Sequence, residues 1–145
     1  MNLFTKKPHL FFFYGVPIFL ILGFIKRNVP IDLSISYIYY LINVDFWCYV
    51  SAVYFGLIGL NYLALNWANK TPKKALTVLH IILQIASLLP YLYAILNLDE
   101  NGTLQKQTLF DINLNSLFVV SFFLFLISIF IHLINFLDSL FLKRD

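Results

Sequence analysis

The sequence predicts an all-α integral membrane protein, a four-transmembrane-helix bundle with both termini in the cytoplasm. Three observations carry that expectation. Of 145 residues, 61% are hydrophobic and only 12% charged, more apolar surface than one soluble domain of this length can hide. The apolar residues gather into four runs, each near the roughly 20 residues that a helix needs to cross a bilayer. Short polar connections separate the runs, so 1–145 reads as a single membrane domain with no separate soluble module.

The first span is expected over 8–25. Lys6 and Lys7 precede its apolar stretch, as they would in a signal peptide, but Lys26 and Arg27 close it without a small-residue cleavage site, so it reads as an uncleaved helix. In the connection that follows, Ile31-Asp32-Leu33-Ser34-Ile35-Ser36 alternates apolar and polar residues like a short strand. The aromatic and aliphatic stretch Tyr37 to Ile42 comes next. The connection is expected at the outer interface, extended at first and then turning into the second helix.

The second span, 46–67, is framed by Trp47 and Trp67. Twenty residues of helix put them about 30 Å apart, at the two interfacial levels where tryptophan is favoured. Gly56 and Gly59 allow a neighbouring helix to come close, and Asn61 and Asn66 lie near the cytoplasmic end. The third and fourth spans are expected over 74–96 and 114–137. Between them, Asp99-Glu100-Asn101-Gly102 signals a turn, and Asn101-Gly102-Thr103 fits a glycosylation sequon that nothing else in the sequence supports. Pro17 and Pro90 interrupt the backbone ladders of helices one and three, where neighbouring helices can satisfy the freed carbonyls.

Orientation follows from the lysines and arginines. With the N-terminus inside, Lys6, Lys7, Lys70, Lys73, Lys74, Lys143 and Arg144 face the cytoplasm, and Lys26, Arg27 and Lys106 face outward. Seven against three favours both termini inside. Asp32, Asp45, Asp99, Glu100 and Asp111 then gather on the outer side.

The net charge of +3 is modest, and its lysines sit in short connections, which argues against nucleic acid as a partner. Cys48 is the only cysteine, so no intramolecular disulfide can form, and it reads as a small packed hydrophobe. No catalytic nucleophile, metal-binding cluster or phosphate-binding loop stands out, so no enzyme is expected. The expected partners are the lipid bilayer and other membrane subunits or a second copy of the chain.

The most informative pattern lies in the third and fourth spans. Thr77, His80, Gln84, Ser87 and Tyr91 recur at three- and four-residue spacings, on one helix face. Ser121, Ser128, His132, Asn135 and Ser139 share a face of the fourth helix. Consecutive spans run antiparallel, so depth can be matched by counting from the cytoplasmic end. His80 lies six residues after Lys74 and His132 six before Asp138, each about 9 Å inside its helix end. One turn nearer that end Thr77 matches Asn135, and one turn deeper Gln84 matches Ser128. The first reading is a set of interhelical hydrogen bonds, worth about 1 kcal/mol each. The alternative gives His80 and His132 a cofactor, haem b or a quinone, because neutral imidazole is a good iron ligand and ionisable groups inside a membrane are functional candidates. Two histidines alone do not make a zinc site, which normally takes three or four protein ligands.

The outer-face Ile31-Asp32-Leu33-Ser34-Ile35, the tract Tyr39-Tyr40-Leu41-Ile42-Asn43-Val44-Asp45-Phe46-Trp47, a glycine-bearing helix, a short basic connection and Leu76-Thr77-Val78-Leu79-His80 follow one another in order. Over about half of the chain, this order resembles small bacterial membrane proteins carrying a degenerate segment similar to the late helix pair of haem-copper oxidase subunit I. The oxidase tract reads His-Asp-Thr-Tyr-Phe-Val-Val-Ala-His-Phe-His. The two histidines that hold the haems there fall on Asp45 and Trp47, so those roles do not carry over. His80 matches a histidine of the following oxidase helix without becoming a haem ligand by that match. The resemblance implies only a helical hairpin with the tract outside and the basic connection inside. The absence of a nucleophile, metal cluster or phosphate loop, together with polar and glycine-bearing faces suited to helix packing, leads to the expectation of a non-catalytic accessory or structural subunit of a membrane assembly, a respiratory one included, in the bacterial inner (cytoplasmic) membrane.

Overall fold

The computed structural model describes residues 7–35, 38–98, 101 and 114–141. Lys6, Lys106, Lys143, Arg144, Asp99, Glu100 and Asp111, and the Gly102-Thr103 part of the sequon, lie outside the described residues. The element order is α1 (Pro8–Ile25), β1 (Pro30–Ile35), β2 (Ile38–Asn43), α2 (Val44–Trp67), α3 (Lys74–Leu96) and α4 (Leu114–Phe141). All four helices are long and apolar enough to cross a membrane, α4 being the most apolar. The second helix starts two residues earlier than expected, and the fourth runs four residues further.

The connection after α1, expected to be extended at first and then to turn into the second helix, instead stays extended and doubles back as a two-stranded hairpin. Pro30–Ile35 and Ile38–Asn43 pair antiparallel, from Pro30 opposite Asn43 to Ile35 opposite Ile38. The alternation in Ile31 to Ile35 marks the first strand. The second was hidden because Ile38 to Ile42 is nearly all apolar and aromatic, without a period of two. The hairpin is seated on the bundle by a cluster of Val29, Ile31, Val44, Cys48, Ile95 and Leu98. Val44 donates its backbone N–H to Val29 carbonyl (2.9 Å), tying the start of α2 to the residue before β1.

The helix ends are closed by identifiable contacts. At the end of α2, Asn69 adopts φ 52°, a left-handed conformation that asparagine tolerates. Lys70 N–H then reaches Leu65 carbonyl (2.8 Å) and Asn69 N–H reaches Asn66 carbonyl (3.2 Å), a Schellman closure. The Lys70 side chain donates to Leu140 carbonyl at the end of α4 (3.3 Å). Lys26, following α1, does the same for α3, donating to Leu98 (2.8 Å) and Leu96 (3.4 Å) carbonyls. In each case the lysine that follows one helix holds the carbonyl end of the helix two places later in the chain, where a cation is favoured.

α1 packs along α2, and α3 along α4, so the bundle consists of two helical hairpins. In the first, aromatic rings sit on glycines. A Cβ placed on Gly15 would run into the Phe55 ring, one on Gly59 would lie 2.8 Å from the Phe13 ring, and one on Gly23 2.9 Å from the Tyr49 ring. Gly56, although also expected at a close contact, has only Val16 near, at 4.0 Å. Phe12, Phe19, Ala52, Phe55, Ile58, Tyr62 and Ile81 form the apolar core.

The second hairpin is built the opposite way. Every buried side chain described on α4 is polar: Ser121, Ser128, His132, Asn135 and Ser139. Its outward positions include Val119, Phe122, Phe123, Ile127, Phe130, Leu133, Ile134 and Leu137, all exposed. α3 contributes Thr77, His80, Gln84 and Ser87 to the same buried interface.

Candidate functional site

The polar faces of α3 and α4 meet as a column through the second hairpin. At the end nearest Lys73, Asn135 bridges the two helices. Its Oδ1 accepts the backbone N–H of Lys73 (2.9 Å) and its Nδ2 donates to Thr77 Oγ1 (2.9 Å). No side chain of α3's own caps its first turn, so the asparagine of the neighbouring helix supplies the missing acceptor. Ser139 Oγ donates to the Asn135 carbonyl (2.6 Å), Thr77 Oγ1 to the Lys73 carbonyl (3.1 Å), and Lys73 Nζ lies 2.6 Å from Asp138 Oδ2.

Deeper in, Gln84 is a second junction. Its Oε1 accepts from Ser128 Oγ on α4 (3.1 Å) and from Tyr54 hydroxyl on α2 (3.2 Å). Ser87 Oγ then donates to Gln84 carbonyl (2.8 Å), and Ser121 Oγ to Ser87 carbonyl (2.6 Å). The column therefore extends from Asp138 to Ser121 with few polar atoms left over.

Between these junctions lie His80 and His132, 0% and 1% exposed, with ring centroids 4.8 Å apart. All four helices converge on them. Phe12 of α1 stacks on His80 at 5.0 Å, and Tyr62 of α2 packs edge-on to His132 at 5.0 Å. Each imidazole has one nitrogen engaged: Tyr62 hydroxyl lies 2.9 Å from His80 Nδ1, and Asn61 Nδ2 lies 3.4 Å from His132 Nε2. The other nitrogens, His80 Nε2 and His132 Nδ1, are buried and have no hydrogen-bond partner among the described residues.

Thr77 and Asn135, His80 and His132, and Gln84 and Ser128 thus stand opposite one another. Sequence reasoning singled out Asn61, which the structure sets against His132, but missed Phe12 of α1 and Tyr54 and Tyr62 of α2. Tyr54, Ile58 and Tyr62 recur every four residues and mark one face of α2, a signal present but ambiguous, because hydropathy does not tell a core tyrosine from an interfacial one.

The spacing of the two rings describes the pair as it stands. An iron held between two imidazoles at about 2 Å from each nitrogen puts the ring centroids roughly 6 Å apart, with the macrocycle between them. Here the centroids are 4.8 Å apart, and hydrogen bonds join α3 to α4 on both sides of the pair. As spaced here, the two imidazoles do not stand on opposite sides of an iron. Among the described residues, no group of three or more His, Cys, Asp or Glu is placed to hold a metal ion.

At the opposite end of the bundle, Asp45 Oδ1, Trp47 Nε1 and Tyr91 hydroxyl are buried without hydrogen-bond partners among the described residues. Trp47 and Tyr91 pack against the apolar cluster that contains Cys48. No protein-family model matches the chain, nor does any curated protein or solved structure.

Proposed function

We propose that this chain is a non-catalytic integral membrane protein, crossing the bilayer four times with both termini in the cytoplasm, and that it serves as an accessory or structural subunit of a membrane assembly. The observation that carries the membrane reading is α4, whose buried side chains are all polar while its surface is Val, Leu, Ile and Phe. Water would favour the reverse arrangement; hydrocarbon favours this one, because polar groups must find partners inside the protein. Orientation rests on Lys70, Lys73 and Lys74 at one end of the bundle against Lys26 and Arg27 at the other, together with the basic residues near the termini.

The subunit reading draws support from how the column uses its polar groups. Thr77, Gln84, Ser87, Ser121, Ser128, Asn135 and Ser139 hydrogen-bond to one another or to backbone, as in a packing interface. A broad apolar surface remains for lipid or neighbouring subunits. The oxidase-like segment makes a respiratory complex of the bacterial inner membrane the first assembly to examine. Extraction of native membranes in mild detergent, followed by cross-linking and native electrophoresis, should recover the chain in a complex of defined size. Recovery only as an uncomplexed monomer would overturn the subunit reading, and release by alkaline carbonate the membrane reading.

A further inference from the structure

We propose that the end of the bundle carrying Lys70, Lys73 and Lys74 binds the headgroup of an anionic phospholipid, one without an ammonium group. The proposal rests on the membrane reading and not on the direction in which the chain is inserted. It starts from charge. Among the described residues, Lys7, Lys70, Lys73 and Lys74 stand at this end against one carboxylate, Asp138. At the other end Lys26 and Arg27 stand against Asp32 and Asp45. The bundle is strongly positive at one end and balanced at the other.

The lysines of the positive end are not equivalent. Lys73 Nζ lies 2.6 Å from Asp138 Oδ2, so that pair is neutral as a whole. Lys70 is held over the end of α4 by its bond to the Leu140 carbonyl, a neutral acceptor that leaves its charge uncompensated. Lys74, at the first position of α3, is exposed, and no carboxylate other than Asp138 is described at this end to pair with it. Beside these ammonium groups the surface turns apolar, with Trp67, Leu140 and Phe141 exposed at the ends of α2 and α4. Cations bordering exposed aromatic and aliphatic side chains match a phospholipid at its glycerol level, with phosphate on one side and acyl chain on the other.

Charge selects the headgroup. A phosphocholine or phosphoethanolamine headgroup carries its own cation, which would here meet a surplus of lysines and a carboxylate already held by Lys73. A headgroup whose phosphate is its only charge, as in phosphatidylglycerol, meets no such conflict. Each lysine close to an anionic lipid surface contributes a preference of about fivefold, the equivalent of about 1 kcal/mol. Lys70 and Lys74 together then favour the anionic lipid by about twentyfold. An acidic protein segment would meet the same lysines, but it has no acyl chain to lay against Trp67, Leu140 and Phe141, so the lipid is the better match.

The chain's two tryptophans, Trp47 and Trp67, report on opposite ends of α2. The test reconstitutes the full chain in vesicles of phosphatidylcholine and phosphatidylglycerol, with one or the other lipid brominated in the upper part of its acyl chains. Fluorescence quenching is read in Trp47→Phe, which leaves Trp67, and in Trp67→Phe, which leaves Trp47. Quenching by brominated phosphatidylcholine shows insertion: its loss sinks the membrane reading and this proposal with it, whereas an inserted chain without a lipid preference sinks this proposal alone. Phosphatidylglycerol should be preferred about twentyfold beside Trp67 and not at all beside Trp47. Lys70→Gln and Lys74→Gln should each lower the preference about fivefold, and Asp138→Asn, which releases Lys73, should raise it about fivefold, a gain that misfolding does not imitate. Arg27→Gln, at the balanced end, should leave it unchanged. Equal preference at the two tryptophans, an undiminished preference in both lysine variants, or no preference at Trp67 would each overturn the proposal, the last leaving these lysines to an acidic protein partner.

Discussion

The two helical hairpins of this bundle solve the same packing problem by opposite means. α1 and α2 approach through missing side chains: Gly15, Gly23 and Gly59 make room for the rings of Phe55, Tyr49 and Phe13. α3 and α4 approach through side chains that bond: Thr77 with Asn135 and Gln84 with Ser128. The first interface depends on shape, which tolerates no added volume, and the second on partners, where losing a single atom leaves another unsatisfied. The difference teaches that a sequence almost uniformly apolar can still encode two distinct kinds of helix recognition.

Substitutions can set these two kinds against each other. The largest effect is expected at Gly15, where even one added methyl would overlap the Phe55 ring. Gly15→Val should destabilise the fold by about 3 kcal/mol or more, measured by reversible unfolding in mixed micelles, and Phe55→Ala in the same chain should restore part of the loss. Asn135→Leu should follow at about 2–3 kcal/mol, because Lys73 N–H loses its acceptor and Thr77 Oγ1 its donor. Equal costs for Asn135→Leu and an exposed substitution such as Phe130→Leu would erase the distinction between the hairpins.

Gly59→Ala should cost about 1 kcal/mol, since the half-buried Phe13 ring can give way, and Phe13→Leu should cancel it. Ser128→Ala should cost least, about 0.6 kcal/mol, because Tyr54 still donates to Gln84 Oε1. A double-mutant cycle between Ser128→Ala and Tyr54→Phe would sharpen the comparison: coupling through the shared oxygen is expected in the polar hairpin, and none between Ser128→Ala and Gly59→Ala.

Length and hydropathy suffice to locate four helices, because each is an unbroken run long and apolar enough to cross a membrane. The rungs of α3 and α4 were legible for a related reason. Polar residues are so costly in hydrocarbon that their spacing marks the inward face, and counting from Lys74 and Asp138 pairs the residues that hydrogen-bond in the structure. The α1–α2 contact was less legible. Gly15 and Gly23 lie eight residues apart on one face of α1, yet glycine carries no polarity to distinguish inside from outside. Tyr62 and Phe12, which complete the surroundings of the histidines, were hidden likewise, since aromatic residues serve equally in a core and against lipid. The second strand of the hairpin was lost because its pairing, and not its composition, makes it a strand.

The lysines that hold neighbouring helix ends bear on how the chain would leave a bilayer under force. Pulled from its C-terminal end, the protein would first break the contact of Lys70 with Leu140. Drawing α4 out alone would then bare Thr77, His80, Gln84 and Ser87 to hydrocarbon, so α3 is bound to follow. α1 and α2 meet each other through shape, and after Lys70 only Tyr54, Asn61, Tyr62 and Lys26, among the described residues, bond from them to the second hairpin. The force trace should show two steps, each the length of a hairpin, in place of four.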